Sequence, residues 1–329
     1  MKILMINFGG IGDEILFLPT IKSLKNKYPD SKITLAVEPR SKSIVTLTDD
    51  IDDVITVKIK GKRRFFDILK LILKTRTQKY DMAVASGGNK LISVILFLTG
   101  IKERYGYDTG RLSRLLLTKA IKLNKNQYAA NMYHDLVSSL IEQSQTEIVP
   151  EIDVFKVQKE SNTVLIHPGV SQMSIKKGIV KTISAEKWAE LIDLIAWYGK
   201  KVILVGGPDD VECIEKIKQT VKTTNYKDLS NQPMSLNDLA VLISSVEKFV
   251  CSDSAPMHLA VAVKTKTYAI FGPTNPKRLI PENELVTPVL ADDDCPLKPC
   301  LWDKKSKTCK HCNCLNIDLK KLAVLITKN

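Results

Sequence analysis

Short apolar runs alternate along this chain with longer segments whose apolar residues recur at helical spacing. The first run, residues 2–8, is apolar on both faces, which is typical of a strand buried in a parallel sheet. After a glycine-rich turn the pattern predicts a helix at 13–27, strands at 32–37 and 53–57, a helix at 64–77, a strand at 81–86 and a helix at 90–99. Strands that alternate with helices in this way indicate βαβ units and a parallel sheet.

The alternation restarts in the second half, after a segment without a clear period at 150–162. There the pattern predicts strands at 164–167, 201–205, 248–251 and 267–271, and helices at 185–198, 211–220, 236–244, 256–263 and 319–327. This half has the more regular α/β pattern of the two. A chain of 329 residues is long enough for two domains, and we place them at residues 1–155 and 156–329.

The composition, 44% hydrophobic and 26% charged, is that of a soluble globular protein and excludes disordered and fibrous classes. No apolar run approaches the ~18 residues of a membrane span. The N-terminus lacks the apolar core and cleavage site of a signal peptide. These features predict a cytoplasmic protein, in which the seven cysteines argue against a disulfide scaffold.

The net charge of +13 indicates that anionic partners suit this protein. The densest basic run, KIKGKRR at 58–64, precedes an apolar helix and contains Lys60, Lys62, Arg63 and Arg64. It has two interpretations: a solvated surface, or a contact with a membrane surface or an anionic acceptor. Nucleic acid fits less well, because few aromatic residues interleave with the basic ones to offer stacking.

Ligands of open α/β sheets bind beyond the carboxyl ends of the strands, so the loops at these ends are the places to look for chemistry. The first loop contains Gly9, Gly10 and Gly12, followed by Asp13. The glycines permit close backbone approach but lack the spacing of a dinucleotide site. Asp13 has two interpretations from this loop alone: a cap of the following helix, or a carboxylate that acts as a general base.

Three further loops carry polar groups in the second half. Ser171 follows the strand that opens this half, and Lys181 precedes a helix N-terminus, where its charge suits a diphosphate or is an ordinary surface lysine. Asp209 follows the next strand and is placed either to accept hydrogen bonds from ribose or to cap a helix.

The most informative loop begins at Asp253, where a buried strand gives way to a helix of small residues. Asp253, Ser254 and the first helical N–H groups point toward one spot and predict an anion site. His258 shares a face with Ser254 by its spacing of four residues. The next strand closes with Phe-Gly-Pro-Thr at 271–274, a tight loop on the same edge.

Three motifs together resemble the heptosyltransferases, glycosyltransferase family 9, which add heptose from ADP-heptose to the inner core of lipopolysaccharide. They are Gly12-Asp13 followed after five residues by Pro19, the stretch DSAPMHLA at 253–260, and Phe-Gly-Pro-Thr at 271–274. Their order runs through nearly the whole chain. The resemblance implies a GT-B architecture: two Rossmann-like α/β domains with parallel sheets facing across a cleft, and a terminal helix that is free to pack back on the N-terminal domain.

The resemblance also implies roles for individual residues. The N-terminal domain would bind an anionic, lipid-linked glycan acceptor, and Asp13 would be the general base of an inverting transfer. The C-terminal domain would bind a nucleotide diphosphate-sugar, most simply ADP-heptose. Its residues would be Lys181 at the diphosphate, Asp209 at the ribose, Met234 at the adenine, and Asp253, Ser254, Ala255 and His258 around the phosphates and sugar. Ser171 would also belong to this donor site.

Some positions depart from the family pattern. Ala255 stands where the family commonly has Gly, Ile183-Ser184 replaces a Trp-Pro pair, and the segment 173–180 before Lys181 is longer than usual, so that Lys176 or Lys177 is an alternative. These departures leave the donor sugar open. They also sustain one alternative, a nucleotide-sugar-binding protein without turnover.

A second alternative is a nucleotide-sugar epimerase of the same architecture. That chemistry needs further acids and histidines in the cleft, and the chain has four histidines: His134, His167, His258 and His311.

We expect no cofactor and no catalytic metal. The acidic run at 292–294 precedes a cysteine cluster and does not lie in a loop suited to a metal-dependent donor site. The cluster itself has the spacing Cys295, Cys300, Cys309, Cys312 and Cys314, with His311 inside it. A Cys-x2-Cys pair with further thiols is compatible with zinc, but the irregular spacing argues against it.

Overall fold

The computed structural model describes residues 1–141, 148–155, 157–293, 295–301, 309 and 313–328. The chain divides into two compact units, Met1–Asp153 and Val154–Asn329. Each unit contains one six-stranded sheet. No helix of the described residues is long and apolar enough to cross a membrane.

The N-terminal unit is built on a fully parallel sheet in the order β3-β2-β1-β4-β5-β6. Its strands are β1 (Lys2–Ile6), β2 (Lys32–Val37), β3 (Asp53–Thr56), β4 (Met82–Ala85), β5 (Glu103–Tyr107) and β6 (Lys119–Ile121). Its helices are α1 (Ile11–Lys27), α2 (Arg64–Gln78), α3 (Lys90–Leu98), α4 (Arg111–Leu116) and α5 (Ala129–His134), and a 3-10 helix covers Pro39–Leu47.

The first helix, α1, is buried over most of its N-terminal half. Acidic residues stand in its first turn and Lys25 and Lys27 in its last, which matches the helix dipole at both ends. Pro19 lies inside the helix, where it removes one backbone hydrogen bond and has to be accommodated by packing. Since an internal proline weakens a helix, we infer that the packing of the buried residues of α1 contributes more to its stability than helix propensity does.

The C-terminal unit repeats the architecture with the order β12-β11-β10-β7-β8-β9, again fully parallel. Its strands are β7 (Glu160–His167), β8 (Lys201–Leu204), β9 (Tyr226–Asp228), β10 (Val246–Ser252), β11 (Lys266–Ile270) and β12 (Val286–Val289). Its helices are α6 (Gln172–Lys176), α7 (Ala185–Trp197), α8 (Val211–Thr220), α9 (Leu236–Ser245), α10 (Ala255–Ala262) and α11 (Leu319–Lys328).

Numbered within its own unit, each sheet has the strand order 3-2-1-4-5-6, which is that of dinucleotide-binding Rossmann folds. The predicted α/β class with two parallel sheets is therefore confirmed. The first unit is as regular as the second, contrary to the sequence interpretation. Strands β5, β6, β9 and β12 were not predicted, because they are short and many of their residues are partly exposed, so they give no clear hydrophobic pattern.

The terminal helix belongs to the C-terminal unit. Leu322, Ala323 and Ile326 are buried in the core of that unit, which surrounds Trp188. Two side chains from the sheet bind the last carbonyls of α11: Lys248 Nζ donates to Ile326 O (2.6 Å) and Tyr268 Oη to Leu325 O (3.2 Å). The apolar face of α11 thus completes the core of its own unit, and packing of this helix back on the N-terminal domain stays a prediction.

The two sheets also define where ligands would bind. In an open parallel sheet the crevice lies where the strand order reverses, beyond the carboxyl ends of two central strands. These are β1 and β4 in the first unit, and β7 and β10 in the second.

Candidate active site

The loop after β1 wraps closely around Asp13. The side chain of Asn7 makes two hydrogen bonds that fix the shape of this loop. Its oxygen accepts the Gly9 N–H (3.0 Å), and its NH2 group donates to the backbone carbonyl of Asp13 (3.2 Å). A Cβ atom on Gly9 would lie 2.3 Å from the Cβ of Asp13. Glycine is therefore required at this position for close approach rather than for an unusual backbone conformation.

Both carboxylate oxygens of Asp13 have a donor. Oδ2 accepts the N–H of Gly10, the residue that caps α1 (2.8 Å), and Oδ1 accepts the hydroxyl of Tyr133 from α5 (3.0 Å). Tyr133 packs edge-on against Phe17, with ring centroids 5.7 Å apart. Burial, together with the charge of Asp13, holds the pKa of Tyr133 well above its usual value, so that the phenol stays a donor. With these two hydrogen bonds in place, Asp13 still lines a cavity.

That cavity has a volume of about 600 Å³ and lies at the switch point between β1 and β4. Its polar lining comes from Asn7, Asp13, Arg64, Ser86 and Asn89. Most of the remaining wall is apolar and comes from the loop after β1, the segment between β3 and α2, α2 and α3: Phe8, Ile59, Phe65, Ile68, Leu91, Ile92 and Ile95. Of the predicted glycines, Gly9 lines the cavity, while Gly10 and Gly12 lie at the start of α1.

Glu14, next to Asp13, is a buried acid that the sequence analysis missed. Its side chain is 1% exposed, and neither carboxylate oxygen makes a hydrogen bond of ordinary geometry with a described residue. Burial, and secondarily the charge of Asp13, raise the pKa of Glu14 well above its usual range. Glu14 therefore holds its proton more tightly than an exposed glutamate does.

A cluster of basic residues adjoins the glycine loop. Glu38 is buried; it accepts a hydrogen bond from Arg40 Nε (2.7 Å) and lies 3.4 Å from Lys60 Nζ. The Arg40 guanidinium is close enough to the loop that a Cβ on Gly10 would lie 3.8 Å from it. Lys62 and Arg63 are exposed. Arg40 was not predicted as a site residue, although it lies in the 3-10 helix that follows the carboxyl end of β2.

Asp253 is the centre of the candidate site in the C-terminal unit. Its buried carboxylate lies beyond the end of β10, and one oxygen, Oδ2, binds both Lys181 Nζ (2.9 Å) and the Thr274 hydroxyl (2.6 Å). The three residues come from three different loops. The structure therefore brings together Lys181, Asp253 and Thr274 of the Phe-Gly-Pro-Thr motif, which lie far apart in the sequence.

The loop that carries Lys181 is fixed by the hydrogen bonds of its next residue, Thr182. The neighbouring Thr182 donates to the Pro168 carbonyl after β7 (2.7 Å), and it bonds Ser252 at the end of β10 (2.8 Å) and the indole of Trp188 (2.9 Å). Because β7 and β10 are adjacent, this network spans the switch point of the sheet. Thr182 and Trp188 were not predicted as site residues, although both follow Lys181 closely in the sequence.

Helix α10 begins at Ala255, two residues after Asp253. Ser254 is its N-cap residue, but the hydroxyl donates to Ser252 O (3.3 Å) instead of capping a helical N–H. Ala255 is the first helical residue, and the buried His258 lies one turn further on. A helix N-terminus without a side-chain cap is suited to an anion, because its N–H groups and dipole favour negative charge.

The acid that turns inward after β8 is Asp210, whereas the predicted Asp209 is exposed. Asp210 Oδ2 accepts the Gly207 N–H (2.8 Å) and lies 3.5 Å from His167 Nε2. A Cβ on Gly169 would lie 1.8 Å from Asp210 Oδ1, so the loop after β7 closes on this carboxylate through glycine. Burial raises the pKa of Asp210 and lowers that of His167, and their mutual attraction opposes both shifts.

The remaining predicted residues lie at helix starts. Ser171 is exposed and is the N-cap of α6, where its hydroxyl accepts the Ser174 N–H (3.4 Å). Met234 is half-buried, just before the capping residue of α9. Among the hydrogen bonds of the described residues, none joins Ser171 to the Asp253 group.

The cysteine cluster lies only partly within the described chain. Cys300 and Cys314 are buried, Cys295 and Cys309 are half-buried, and His311 and Cys312 lie outside the described residues. Within the residues that the structure describes, no three histidine, cysteine or acidic side chains assemble into a metal site.

Comparison with known proteins identifies relatives of this chain. The sequence model of glycosyltransferase family 9 (heptosyltransferase) matches residues 68–311. Lipopolysaccharide heptosyltransferase 3 of Escherichia coli is 27% identical over 285 residues, which cover 80% of this chain and 81% of that protein.

Two solved structures have a similar fold. A glycosyltransferase family 9 protein from Veillonella parvula DSM 2008 gives a TM-score of 0.78 at 19% identity and covers 99% of this chain and 96% of its own. The E. coli ADP-heptose lps heptosyltransferase II gives a TM-score of 0.75 at 19% identity, with 100% of both chains covered. At these identities the similarity establishes a shared fold.

Proposed function

The chain belongs to glycosyltransferase family 9, the heptosyltransferase family, and from that premise we propose that it transfers heptose from ADP-heptose to a lipopolysaccharide-core or related surface-glycan acceptor. The chain is thus a glycosyltransferase. The choice of donor is supported by the structural similarity to the E. coli ADP-heptose lps heptosyltransferase II, and the choice of acceptor by the lipopolysaccharide heptosyltransferases among the sequence relatives.

The observation that carries the proposal is the Lys181–Asp253 pair beside the uncapped start of α10. A diphosphate that reaches this place competes with Asp253 for the ammonium group and meets the N–H groups of the helix. Ala255 and His258 flank the same turn. We assign Ser254 to the phosphates, Asp209 to the ribose, Met234 to the adenine and Ser171 to the rim of the donor site.

Asp13 is the general base of the proposed reaction. It accepts the proton of an acceptor hydroxyl as that oxygen forms a bond to the anomeric carbon. The bond from this carbon to the diphosphate breaks at the same time, the diphosphate leaves with the electron pair, and the configuration inverts. The hydrogen bonds from Gly10 and Tyr133 orient the carboxylate, and Arg64 in the same cavity suits an anionic acceptor.

The leaving diphosphate needs positive charge, and protein groups supply it in this mechanism. Lys181 provides a full charge and α10 the partial charge of its N-terminus. We therefore propose a metal-independent transfer that requires no cofactor. The acceptor is an anionic lipid-linked glycan, and the protein works at the cytoplasmic face of the inner membrane.

Donor binding and transfer test the proposal in sequence. Calorimetry with ADP-heptose, ADP-glucose and UDP-sugars is expected to show binding of an ADP-sugar to the wild type and to Asp13→Ala, and loss of binding in Asp253→Ala. Circular dichroism of Asp253→Ala and of the milder Asp253→Asn separates loss of binding from loss of fold. Labelled donor is then expected to give a glycosylated acceptor with the wild type.

Other outcomes contradict the proposal in recognisable ways. Binding without transfer to any lipopolysaccharide-core acceptor supports a nucleotide-sugar-binding protein without turnover. Conversion of the donor to its epimer supports the epimerase alternative. If no nucleotide sugar binds the wild type, the donor-site assignment is wrong.

A further inference from the structure

Helix α2 has two apolar faces, whereas a surface helix of a globular protein needs one. The inner face packs on the sheet through the buried Leu71 and Ile72, in the core of the N-terminal unit. The outer face carries large apolar side chains in water: Phe65 is 66% exposed, Phe66 75%, Leu69 52% and Leu73 55%. A cluster of this size on one helix points to a binding surface.

Basic residues are interleaved with these apolar ones. Phe66, Leu69, Lys70, Leu73, Lys74 and Thr77 follow each other at helical spacing and line a shallow depression of about 430 Å³. Lys62 and Arg63 precede the helix, and Arg64 is its first residue. The Arg64 guanidinium lies over the Phe65 ring, 4.7 Å from its centroid. We call the set 65, 66, 69, 70, 73 and 74 the outer face of α2.

Neighbouring acidic residues do not neutralise the positive charge of this surface. Asp67, the acid in the first turn of α2, accepts the backbone N–H of Lys58 and so faces the preceding loop (3.2 Å). Lys74 lies 3.8 Å from the exposed Asp53, a separation at which an exposed pair contributes little. The outer face is therefore both apolar and cationic.

We propose that the outer face of α2 docks on an anionic lipid bilayer. Phe66, Leu69 and Leu73 enter the boundary between headgroups and acyl chains, while Lys70, Lys74 and the basic segment before the helix bind lipid phosphates. An amphipathic helix with lysines and arginines beside phenylalanine and leucine has the composition that lies in such an interface. Charge complementarity selects this occupant, since an uncharged apolar protein groove leaves the lysines unmatched.

The docking surface is continuous with the cavity of Asp13. Phe65, a member of the outer face, also lines that cavity, together with Arg64 and Ile68 from the same helix. A helix seated in the leaflet would thus hold the mouth of the cavity at the depth of lipid headgroups. This link to an acceptor that stays in the membrane rests on the proposed function, whereas lipid binding itself does not.

Sedimentation of the full chain with vesicles tests the proposal. The wild type is expected to bind vesicles of phosphatidylcholine with phosphatidylglycerol, to bind pure phosphatidylcholine much less, and to be released by salt. Phe66→Ser with Leu73→Ser is expected to weaken partitioning at least about tenfold, because two large side chains no longer leave water. Lys70→Glu with Lys74→Glu is expected to abolish the preference for phosphatidylglycerol.

Matched controls lie in the other unit. Trp197 is 77% exposed on α7, and Trp197→Ser removes an exposed aromatic side chain without touching α2. Lys320→Glu reverses a charge on the exposed side of α11. Both are expected to bind vesicles like the wild type. Because all the changed residues lie at the surface, donor binding is expected to persist in every variant, which also tests folding and keeps this result separate from the donor-site assignment.

Three results would overturn the inference. One is a wild type that binds the two kinds of vesicle equally or not at all. Another is unchanged vesicle binding by Phe66→Ser with Leu73→Ser. The third is a wild-type dimer in sedimentation velocity that the same double substitution converts to monomer, since the outer face would then be covered by a second copy of the chain.

Discussion

The two units place different chemistry at the same point of the same topology. Both sheets run 3-2-1-4-5-6, and both candidate sites lie where that order reverses. In the N-terminal unit the loops present the carboxylate of Asp13 beside an apolar cavity. In the C-terminal unit they present an ion pair, Lys181 and Asp253, beside a helix N-terminus. Strand order thus decides where a ligand binds, and the loops decide which ligand it is.

The two carboxylates, Asp13 and Asp253, differ in the charge of the groups that they contact. Asp13 receives hydrogen bonds from neutral donors, Gly10 and Tyr133, and has the buried acid Glu14 as its neighbour. Asp253 receives an ammonium group from Lys181. A carboxylate without a cationic partner stays available for a proton, whereas one that holds a lysine can release that lysine to an incoming anion. Substitutions in the two units test this contrast, from the largest expected effect to the smallest.

Asp13→Asn is expected to lower kcat by about 10²- to 10⁴-fold, the usual contribution of a positioned base. The donor Kd should stay unchanged, because the substitution lies in the other unit and preserves the size of the side chain. Single-turnover transfer and calorimetry measure the two quantities. A parallel loss of donor affinity would show that the two sites are not separate in function.

Lys181→Met is expected to lower kcat about 10²-fold, since a preorganised charge at the leaving group is lost. It should also destabilise the C-terminal unit by about 3 kcal/mol, because Asp253 becomes a buried carboxylate without its cation.

The double variant Lys181→Met with Asp253→Asn serves as the control for stability. It is expected to regain much of the lost free energy of unfolding while transfer stays low. Denaturant unfolding of the wild type, the two single variants and the double variant gives the interaction free energy between Lys181 and Asp253. If the losses in free energy of unfolding of the two single variants simply add in the double variant, the ion pair does not contribute to stability.

Tyr133→Phe is expected to lower kcat about fivefold, the value of one hydrogen bond of ~1 kcal/mol. The phenol orients Asp13, so kcat should fall more than the KM of either substrate rises. Tyr80→Phe is the matched control, since Tyr80 is a buried tyrosine of the same unit whose hydroxyl bonds Thr34 (3.0 Å). An equal loss in both variants would indicate a general effect of packing.

Glu14→Gln is expected to leave kcat almost unchanged and to raise the midpoint of thermal unfolding by ~2–4 °C for each kcal/mol gained. Burial raises the pKa of Glu14 above its ordinary value of 4.5, so that the unfolded chain releases a proton which the folded chain keeps. The wild type therefore loses stability as the pH rises from about this ordinary value toward the raised folded value.

The gain from Glu14→Gln should accordingly be absent at pH 4 and largest at neutral pH and above. Unfolding scans across this range measure it, and Glu103→Gln, an exposed glutamate of the same unit, is the control. A gain that does not depend on pH would mean that Glu14 ionises at its ordinary pH in the folded protein.

Much of the fold was predictable from the sequence, because strand and helix periods are local. The helix predicted at 64–77 is Arg64–Gln78, and the strand predicted at 32–37 is Lys32–Val37. The family was identifiable from motifs that sit in loops beside strands. Short strands such as β6 and β9, of three residues each, were not predictable, because so few residues give no readable alternation.

By itself, then, the sequence determined the α/β class with two parallel sheets, the family, and the position of Asp13 and Asp253 near strand ends. Only the tertiary structure decided what these residues touch. Tyr133 reaches Asp13 across 120 residues, and the inward acid after β8 is Asp210 rather than its neighbour Asp209. Periodicity reports which side of an element is buried, but a partner distant in sequence is set by the packing of whole elements against each other.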